Sequence, residues 1–397
     1  MSTLRVDNIR HNSATSDAIT MASDGTCTAK ITSVGGGGLS HRNVISNGAM
    51  TVSQRATSAS FTSGAVFPAL DRFKAVGNSS MTVNTTISQT ADSPDGLGYC
   101  LKVLVNASQT PSGSENFIIR YSGEEQDIKR FGYGTSACKE ATISFSVKSN
   151  KTGTYSVQFY LGNYVPNIIV TYTINSANTW ERKTITLPTY TTSFSHNADN
   201  AIGLMIDWHL SSGPDDIVGT TGWQTAAGNA RAATGQVNLL DATSNYWQMT
   251  NVQFEVGDTA TSFEHRSFTD ELLRCQRYYY QVGGQTNDGS PDNSYGVILP
   301  MAMCASATRV KGILHHPVPM RTGPSLSGGG SGTCAIQQGD NTPNSTLVYQ
   351  NGWSGSNTTR YSWVDLSPNS GTVSNVGETG IVYAYNSTYH IKVDAEL

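Results

Sequence analysis

The sequence predicts an all-β protein whose strands form antiparallel, sandwich-like modules. Only 14% of the 397 residues are charged, while Gly alone contributes 39, and such a composition suits strands and tight turns better than helices. The 18 Tyr, 11 Phe and 6 Trp are more than a disordered chain carries. Long stretches also alternate apolar and polar residues with a period of two, as half-buried strands do. The length allows two or three domains.

The charge and hydropathy patterns exclude several partners. The net charge is −4 and the Lys and Arg residues are scattered, so no nucleic-acid partner is expected. No apolar run approaches the roughly 18 residues that cross a bilayer, so no membrane insertion is expected. The N-terminal sequence lacks the apolar segment of a secretion signal, which predicts synthesis in a cytoplasm. In that reducing compartment the six widely spaced cysteines are expected to be buried free thiols.

Residues 1–40 are predicted to form an attachment arm and a linker. Apolar residues such as Leu4, Val6 and Ile9 are too sparse for a core, so we expect the arm to become ordered against a partner or against copies of itself. The run Gly35–Gly38 is not followed by the Gly-Lys-Ser/Thr sequence of a phosphate-binding loop, and it is interpreted as a flexible linker.

Residues 41–266 are predicted to form an antiparallel jelly-roll β-sandwich. In Thr142–Lys148 every second residue is apolar, as expected for a strand with one face in a core. Val157 and Phe159 repeat that pattern after the turn at 151–153, which predicts a hairpin. About ten short strands without intervening helices are typical of a sandwich. The other candidate strands are 80–88, 99–106, 117–121, 168–174, 181–187, 202–210 and 247–256.

Residues 267–280 are predicted to form a short connecting helix. Ser267 precedes Asp270 by three residues, as in a capping box, and acidic residues crowd the first turn. Residues 281–397 are predicted to form a C-terminal β-sandwich-like domain, and no fixed-period repeat indicates a solenoid or propeller. Its candidate strands are 295–303, 308–316, 333–338, 345–350, 359–366 and 379–394.

No catalytic motif stands out, which predicts that the protein is not an enzyme. The sequence contains no H-E-x-x-H, no G-x-S-x-G and no dinucleotide-binding fingerprint. The adjacent His315 and His316 lie on a predicted strand and would point to opposite faces, so they are not expected to bind one ion. Asp207 and His209 could share a strand face, but the sequence marks no nucleophile beside them.

Two pairs of adjacent acids, Glu124–Glu125 and Asp215–Asp216, leave two interpretations open. Either pair could supply half of the two-carboxylate site of a glycosidase, which needs acids roughly 5 to 9 Å apart. The sequence does not give that separation, and solvated loop charge is the favoured interpretation.

Aromatic side chains near the C-terminus are the candidate binding residues. Flat rings among Asn, Ser, Thr and Gly are typical of sugar recognition, in which a ring stacks on the sugar and polar groups orient it. The alternative is that these rings lie in a core or between subunits; Trp208 and Trp247 are predicted to be core residues. The candidate glycan-binding residues are Trp353, Tyr361, Trp363, Tyr383 and Tyr385.

Four stretches resemble a module of tail fibres and other virion structural proteins of tailed bacteriophages. Asn43–Arg55, followed by Leu70–Phe73, is similar to the start of that module, and Gln253–Arg266 is similar to its end. Glu271–Tyr279 resembles the connector that follows, and Pro317–Pro324 resembles a segment of the C-terminal domain. The order and spacing of the stretches agree with the family, and no motif covers the residues that follow them.

The resemblance implies a carbohydrate-binding-module-like jelly roll within a homotrimeric fibre or spike. The protein would be a tail-fibre or receptor-binding protein of the virion, made in the host cytoplasm and without catalysis. Residues 1–40 would attach it to other virion proteins, and residues 281–397 would bind a host surface polysaccharide. A capsid decoration or head-fibre protein is the alternative. A glycan-degrading tailspike would need a parallel β-helix, whose repeats the sequence lacks.

The resemblance also bears on metals. Related modules hold calcium with loop carboxylates and carbonyls, so a structural calcium ion is the metal that the resemblance implies. Asp71 and Glu255, which both lie in the resembling stretches, are the candidate ligands. No cofactor is required.

Overall fold

The computed structural model is nearly all β, with 47% strand and 7% helix, which confirms the predicted fold class. In the part of the chain that it describes, no helix has the length and apolar character needed to span a bilayer. The described residues are 6–10, 19–21, 23, 27–29, 41–77, 81–162, 165–219, 222–224, 231–283, 296–329, 334–338, 343–349, 357–368, 372–373, 376–384 and 389–397.

The strands, numbered in chain order, fall into three groups. The arm contains β1 (Asn8–Ile9), β2 (Ile19–Met21) and β3 (Cys27–Ala29). The first large unit contains β4 (Ser58–Phe61), β5 (Gly64–Val66), β6 (Phe73–Gly77), β7 (Thr85–Thr90), β8 (Cys100–Val105), β9 (Asn116–Glu124), β10 (Ala141–Ser149), β11 (Gly153–Leu161), β12 (Asn167–Ile174), β13 (Glu181–Leu187), β14 (Ile202–Ser212) and β15 (Tyr246–Val256). The second contains β16 (Tyr279–Val282), β17 (Val297–Ser306), β18 (Arg309–His315), β19 (Ser325–Gly329), β20 (Cys334–Gln337), β21 (Pro343–Tyr349), β22 (Tyr361–Pro368), β23 (Thr379–Ala384) and β24 (His390–Asp394).

Helical structure is sparse. The described residues contain two α-helices, α1 (Glu125–Ile128) and α2 (Phe268–Gln276), and three single 3₁₀ turns at Lys129–Phe131, Pro214–Asp216 and Leu239–Asp241. These short elements connect strands, so the sheets carry the architecture.

Strands β4 to β15 form two antiparallel six-stranded sheets. Their orders are β13-β10-β15-β8-β7-β4 and β12-β11-β14-β9-β6-β5. The inner faces of the two sheets enclose one apolar core, in which Trp208 and Trp247 are fully buried, as predicted. The predicted jelly-roll sandwich is confirmed.

The hairpin predicted at residues 151–153 is wrong. Strand β10 pairs with β13 and β15, whereas β11 pairs with β12 and β14, so the connection crosses from one sheet to the other. The Ser149 hydroxyl accepts from the Lys151 amide at 2.9 Å, and the Tyr155 hydroxyl donates to the Lys151 carbonyl at 2.8 Å. Period-two alternation shows which face of a strand is buried, but strands facing each other across a core have the same pattern as hairpin partners.

The two ends of the sandwich module lie side by side. Asn43 donates to the Val252 carbonyl at 3.0 Å and accepts from the Phe254 amide at 3.1 Å. Arg266 donates to the Asn43 carbonyl. A Cβ atom at Gly48 would lie 2.2 Å from the Val252 carbonyl oxygen, so only Gly fits there. The stretches that resemble the beginning and end of the phage module are therefore one structural unit.

The connecting helix begins as predicted and ends earlier. Ser267 accepts a hydrogen bond from the Asp270 amide at 3.1 Å, which caps the first turn of α2. The helix ends at Gln276 because the chain enters a sheet three residues later, where Tyr279 lies opposite Asp394 of β24.

The C-terminal unit is a closed barrel beside a small sheet. The barrel order is β17-β18-β22-β21-β20-β23, and β16-β24-β19 form the sheet. Both parts share one apolar core. The domain predicted to be sandwich-like is, in detail, closed by pairing of β17 with β23, which leaves the barrel no free strand edge. The candidate strand 379–394 divides into β23 in the barrel and β24 in the sheet.

Five cysteines can be described as free thiols. Cys100, Cys275, Cys304 and Cys334 are buried and Cys138 is half-buried. Burial raises the pKa of Cys100 to about 11, so that thiol is neutral at pH 7. The prediction of free, mostly buried thiols is confirmed for these residues.

A buried arginine joins the sandwich to the C-terminal unit. Arg72 is 1% exposed; its guanidinium group contacts the Glu396 carboxylate and the Ser122 carbonyl, and lies 3.4 Å from the centre of the Tyr278 ring. Burial opposes the charge, but Glu396 and Tyr278 hold the pKa of Arg72 above its ordinary value. The guanidinium group thus stays charged, and its partners come from both units.

Arg55 extends this junction. Its guanidinium nitrogens lie 3.4 Å from Glu396, 3.5 Å from Asp394 and 3.6 Å from Asp71. The same group lies 3.5 Å from the centre of the Tyr279 ring. Two cations, three carboxylates and two aromatic rings therefore form one network between the units (hereafter the junction network: Arg55, Asp71, Arg72, Tyr278, Tyr279, Asp394 and Glu396).

Removing the Glu396 carboxylate from the junction network is expected to destabilise the folded protein. Glu396→Ala leaves the Arg72 charge buried without its main partner, and we expect the free energy of unfolding to fall by roughly 3–5 kcal/mol. Urea denaturation of the full chain measures this change. Asp199→Asn is the control, because it removes an ion pair whose Lys129 and Asp199 side chains are 54% and 66% exposed, and such pairs contribute at most about 1 kcal/mol. Equal effects of the two substitutions would contradict the role of the junction network.

Candidate functional site

Two of the predicted glycan-binding residues lie together on the outside of the barrel. Tyr361 and Trp363 on β22 are 37% and 40% exposed. Ser362, which lies between them, and Val364, which follows Trp363, are buried. Residues two apart on a strand point to the same side, roughly 6.6 Å apart along the strand. The rings thus form a pair that can face one extended ligand (hereafter the aromatic pair).

The neighbouring strand provides different surroundings for each ring. His315 lies opposite Tyr361, with ring centres 6.5 Å apart, and Ile313 lies opposite Trp363. The imidazole supplies a hydrogen-bonding group at one end of the aromatic pair, and the aliphatic side chain extends the apolar surface at the other. The imidazole therefore borders the Tyr361 end, while at the Trp363 end Ile313 separates the ring from Lys311 and Asp365, the next pair on the same face of the two strands.

Hydrogen bonds behind the surface fix β22. The His316 ring bonds the Tyr280 hydroxyl at 2.7 Å and the Ser362 hydroxyl at 3.2 Å. Burial lowers the pKa of His316 below its ordinary value, so the ring is neutral at pH 7 and can bridge two hydroxyl groups. His315 is exposed on the outer surface, so the two adjacent histidines do not converge on one ion.

An ion pair fixes the middle of β22, two residues beyond Trp363. The Arg309 guanidinium group binds both carboxylate oxygens of Asp365, one of them at 2.8 Å. This hydrogen bonding raises the pKa of Arg309. Bidentate geometry orients both side chains, so β18 and β22 are held in the register that places Trp363 opposite Ile313.

The other candidate aromatics are placed differently. Tyr383 is half-buried on β23 and lies opposite Val297 and Ala335. It is therefore not part of the surface that β18 and β22 form. Trp353 and Tyr385 lie outside the described residues.

Asp207 and His209 share a face of β14 but do not form an acid–base pair. The Asp207 carboxylate accepts two hydrogen bonds from Arg120, at 2.6 and 2.7 Å. His209 bonds the Ser212 hydroxyl at 3.3 Å, and burial lowers the pKa of His209 to about 4. Because the acid neutralises an arginine, it does not orient the imidazole as a hydrolase triad requires.

The favoured interpretation of the adjacent acids as solvated loop charge is wrong for three of them. Glu124, Glu125 and Asp216 are at most 1% exposed. Glu124 receives two hydrogen bonds of 2.7 Å from Arg277, and Glu125 lies 2.7 Å from His196. The sequence did not indicate the burial of Glu124 and Glu125 because their partners, Arg277 and His196, lie 153 and 71 positions away along the chain.

The two candidate calcium ligands each have protein donors. Asp71 accepts from the Gln54 backbone amide at 3.0 Å and also contacts its side chain, while burial raises the pKa of Asp71 to about 6. Glu255 accepts from the Thr261 amide at 2.9 Å and from its hydroxyl at 2.8 Å, and Gln253 donates at 2.7 Å. Among the described residues no three His, Cys, Asp or Glu side chains are grouped as metal ligands.

A cavity of about 640 Å³ lies between α2 and residues 318–319. Its wall includes Leu273 and Arg274 of α2, and Arg277, which directly follows the helix. His265, from the end of the sandwich module, also lines it. This volume is in the range of small-molecule sites. The sequence did not indicate the cavity because its walls come from separate segments, and none of the candidate aromatics lines it.

Comparisons with known proteins give structural likenesses only. Neither the models of known protein families nor the curated proteins give a match. An enzymatically active domain of tailspike protein 4 of bacteriophage CBA120 is 11% identical, covering 54% of this chain and 21% of that one, with a TM-score of 0.30. The likeness thus spans about a fifth of the tailspike chain.

Two carbohydrate-binding structures are also similar. A family 11 carbohydrate-binding module of a Clostridium thermocellum cellulosomal cellulase is 14% identical, covering 52% of this chain and 100% of that one, with a TM-score of 0.25. A tandem pair of family 22 modules of a Paenibacillus barcinonensis protein is 10% identical, covering 87% and 99%, with a TM-score of 0.23. All three TM-scores are below 0.5, so these likenesses carry no argument about this chain.

The hydrogen bonds of Asp71 and Glu255 lead to a prediction about calcium. Because protein donors already satisfy both carboxylates, we expect EDTA to leave the melting temperature of the full chain unchanged. Differential scanning calorimetry with and without EDTA measures this. A fall that added calcium reverses would contradict the expectation and support calcium as a structural ligand.

Proposed function

We propose that this chain is a receptor-binding protein of a phage virion that attaches to a host surface polysaccharide. The observation that carries the proposal is the aromatic pair, Tyr361 and Trp363, held rigidly and exposed on the outer surface of the barrel. Virion location and phage origin rest on the resemblance of the sequence stretches described above.

The geometry of the aromatic pair suits a polymer of sugars. Each ring offers a flat apolar face on which the C–H face of a sugar can stack, and His315 beside Tyr361 can donate or accept a hydrogen bond. Side chains two residues apart on a strand lie about 6.6 Å apart. A polysaccharide lying along β22 could therefore place successive sugars on successive rings. A strand is also a stiff support, which limits the entropy lost on binding.

The remaining parts of the proposal concern assembly. Two rings form a small site, so strong adsorption requires several copies to bind together, which a homotrimer would provide. The arm would join the virion: Val6, Ile9 and Met21 are 38%, 48% and 45% exposed around its three strands, and a partner surface would cover them.

Binding is proposed to occur without catalysis. Asp207 is neutralised by Arg120, and the buried acids Glu124 and Glu125 are held by Arg277 and His196. Incubation with purified host polysaccharide is therefore expected to leave its chain length unchanged in size-exclusion chromatography. Shortened chains would contradict this and favour a degrading tailspike.

Removal of either ring of the aromatic pair should weaken polysaccharide binding. We expect Trp363→Ala and Tyr361→Ala each to raise the dissociation constant by roughly 3- to 10-fold, since a stacked ring contributes about 0.5–1.5 kcal/mol beyond its buried area. Isothermal titration calorimetry with host polysaccharide measures the change. Tyr99→Ala is the matched control, because Tyr99 is 43% exposed on the sandwich and is not part of the site.

Adsorption to host cells distinguishes the proposal from its alternative. If the wild-type protein binds host cells and the Trp363→Ala variant does not, receptor binding is supported. If the wild-type protein fails to adsorb, the proposal is wrong and a capsid decoration or head-fibre role is favoured. If the wild type and both ring variants bind polysaccharide equally well, the aromatic pair is not the binding site.

A further inference from the structure

Five aliphatic side chains are exposed on one side of the C-terminal barrel. They lie on β17, β18 and β23, which are neighbours in the barrel, and they are 38% to 68% exposed. Alternate residues on the same strands are buried in the barrel core. This surface, hereafter the aliphatic wall, consists of Val297, Met301, Met303, Ile313 and Ile381.

The strand register makes the aliphatic wall continuous. Ala302 of β17 pairs with Gly312 of β18 and with Gly380 of β23. Met301, the residue before it, therefore lies beside Ile313 and Ile381, at the point where the register between β17 and β23 shifts. Adjacent strands lie about 4.8 Å apart, so these side chains are in contact range. Ile313 in turn lies opposite Trp363. The wall therefore reaches the aromatic pair without a polar gap.

The area of the aliphatic wall matches a subunit contact. At roughly 150–190 Å² for each fully exposed side chain, the five exposed fractions sum to on the order of 400 Å² of apolar surface, as large as the largest patch on many monomeric proteins. Protein interfaces are about 56–65% apolar, so such a patch corresponds to about 700 Å² in total. A stable interface buries about 800 Å² per partner.

The chemistry of the aliphatic wall favours protein over sugar. Its side chains have no ring to stack on a sugar and no group to bond a hydroxyl. The row beside it carries both signs of charge, with Lys311 opposite Asp365 and Arg309 paired with Asp365. The Asp365 charge is already paired with Arg309 within one copy, so the uncharged aliphatic side chains are the part of this face that a second copy would cover.

We propose that the aliphatic wall is the surface through which copies of this chain associate. The inference rests on the self-association included in the proposed function, and its test does not require glycan to be present. A barrel wall is convex, so two copies meet only along a narrow strip. Three copies around an axis would bury both flanks, with β17 nearest the axis and β18 and β23 each facing a different neighbour.

Sedimentation equilibrium of the full chain tests this surface. We expect the wild type to sediment as a multiple of the 42.4 kDa chain and Met301→Glu to sediment as a single chain, because a carboxylate would be buried in an apolar contact. Met301 is 68% exposed, so the substitution should leave the folded structure of each chain, followed by its circular dichroism spectrum, unchanged. Leu97→Glu is the matched control: Leu97 is 91% exposed on the sandwich, and this variant should keep the wild-type mass.

The possible outcomes distinguish whether the chain self-associates at all from whether it does so through the aliphatic wall. A wild type of 42.4 kDa at micromolar concentration would overturn self-association and, with it, the aliphatic wall. A wild-type multimer with an unchanged Met301→Glu mass would overturn the wall alone. Should Met301→Glu fail to fold, Met301→Gln should still weaken association about tenfold, and unchanged association of that variant would equally overturn the inference. Polysaccharide binding is measured separately, so its failure is not confused with either result.

Discussion

The architecture depends on how one buried positive charge is compensated. Arg72 belongs to the sandwich, yet its carboxylate partner, Glu396, follows the last strand of the C-terminal unit, and its aromatic partner, Tyr278, precedes the first. A guanidinium group removed from water is tolerated only where such partners are in place. The sandwich can therefore fold with Arg72 buried only when the C-terminal unit is docked in this orientation, which makes the two units interdependent.

This constraint extends to the barrel. Strand β24 pairs with both β16 and β19, and residues of this sheet such as Tyr280 and Ile391 share the barrel's apolar core. Tyr280 also bonds His316, which holds Ser362 between the two exposed rings. A chain of packed and hydrogen-bonded groups therefore runs from the junction network to the back of the aromatic pair, and the surface offered to a ligand is set by contacts made far from it.

Sequence patterns predicted where strands occur better than they predicted which strands pair with each other. The alternation in 181–187 gave strand β13 with its observed bounds, and Ser267 marked the helix start, because each signal depends on neighbouring residues only. Assignment of a strand to a sheet depends on distant residues, which is why the hairpin at 151–153 was wrong. The same limit applies to the acids: Glu124 is indistinguishable from a surface acid until Arg277 is known to reach it. Tyr361 and Trp363 could be proposed from their polar neighbours, but their exposure follows from the barrel.

Placement of rings beside an aliphatic surface has a consequence for recognition. The aromatic pair lies on β22, and the aliphatic wall begins on the next strand, at Ile313 opposite Trp363. If copies associate through the wall, the rings lie at the edge of the contact, partly walled by the neighbouring subunit. A sugar stacked on Trp363 would then be shielded from water by the ring on one side and by the neighbouring subunit on another. The assembled protein would therefore bind sugar more strongly than a single chain does. Assembly and recognition would thus be coupled through Ile313, which belongs to the aliphatic wall and lies opposite Trp363.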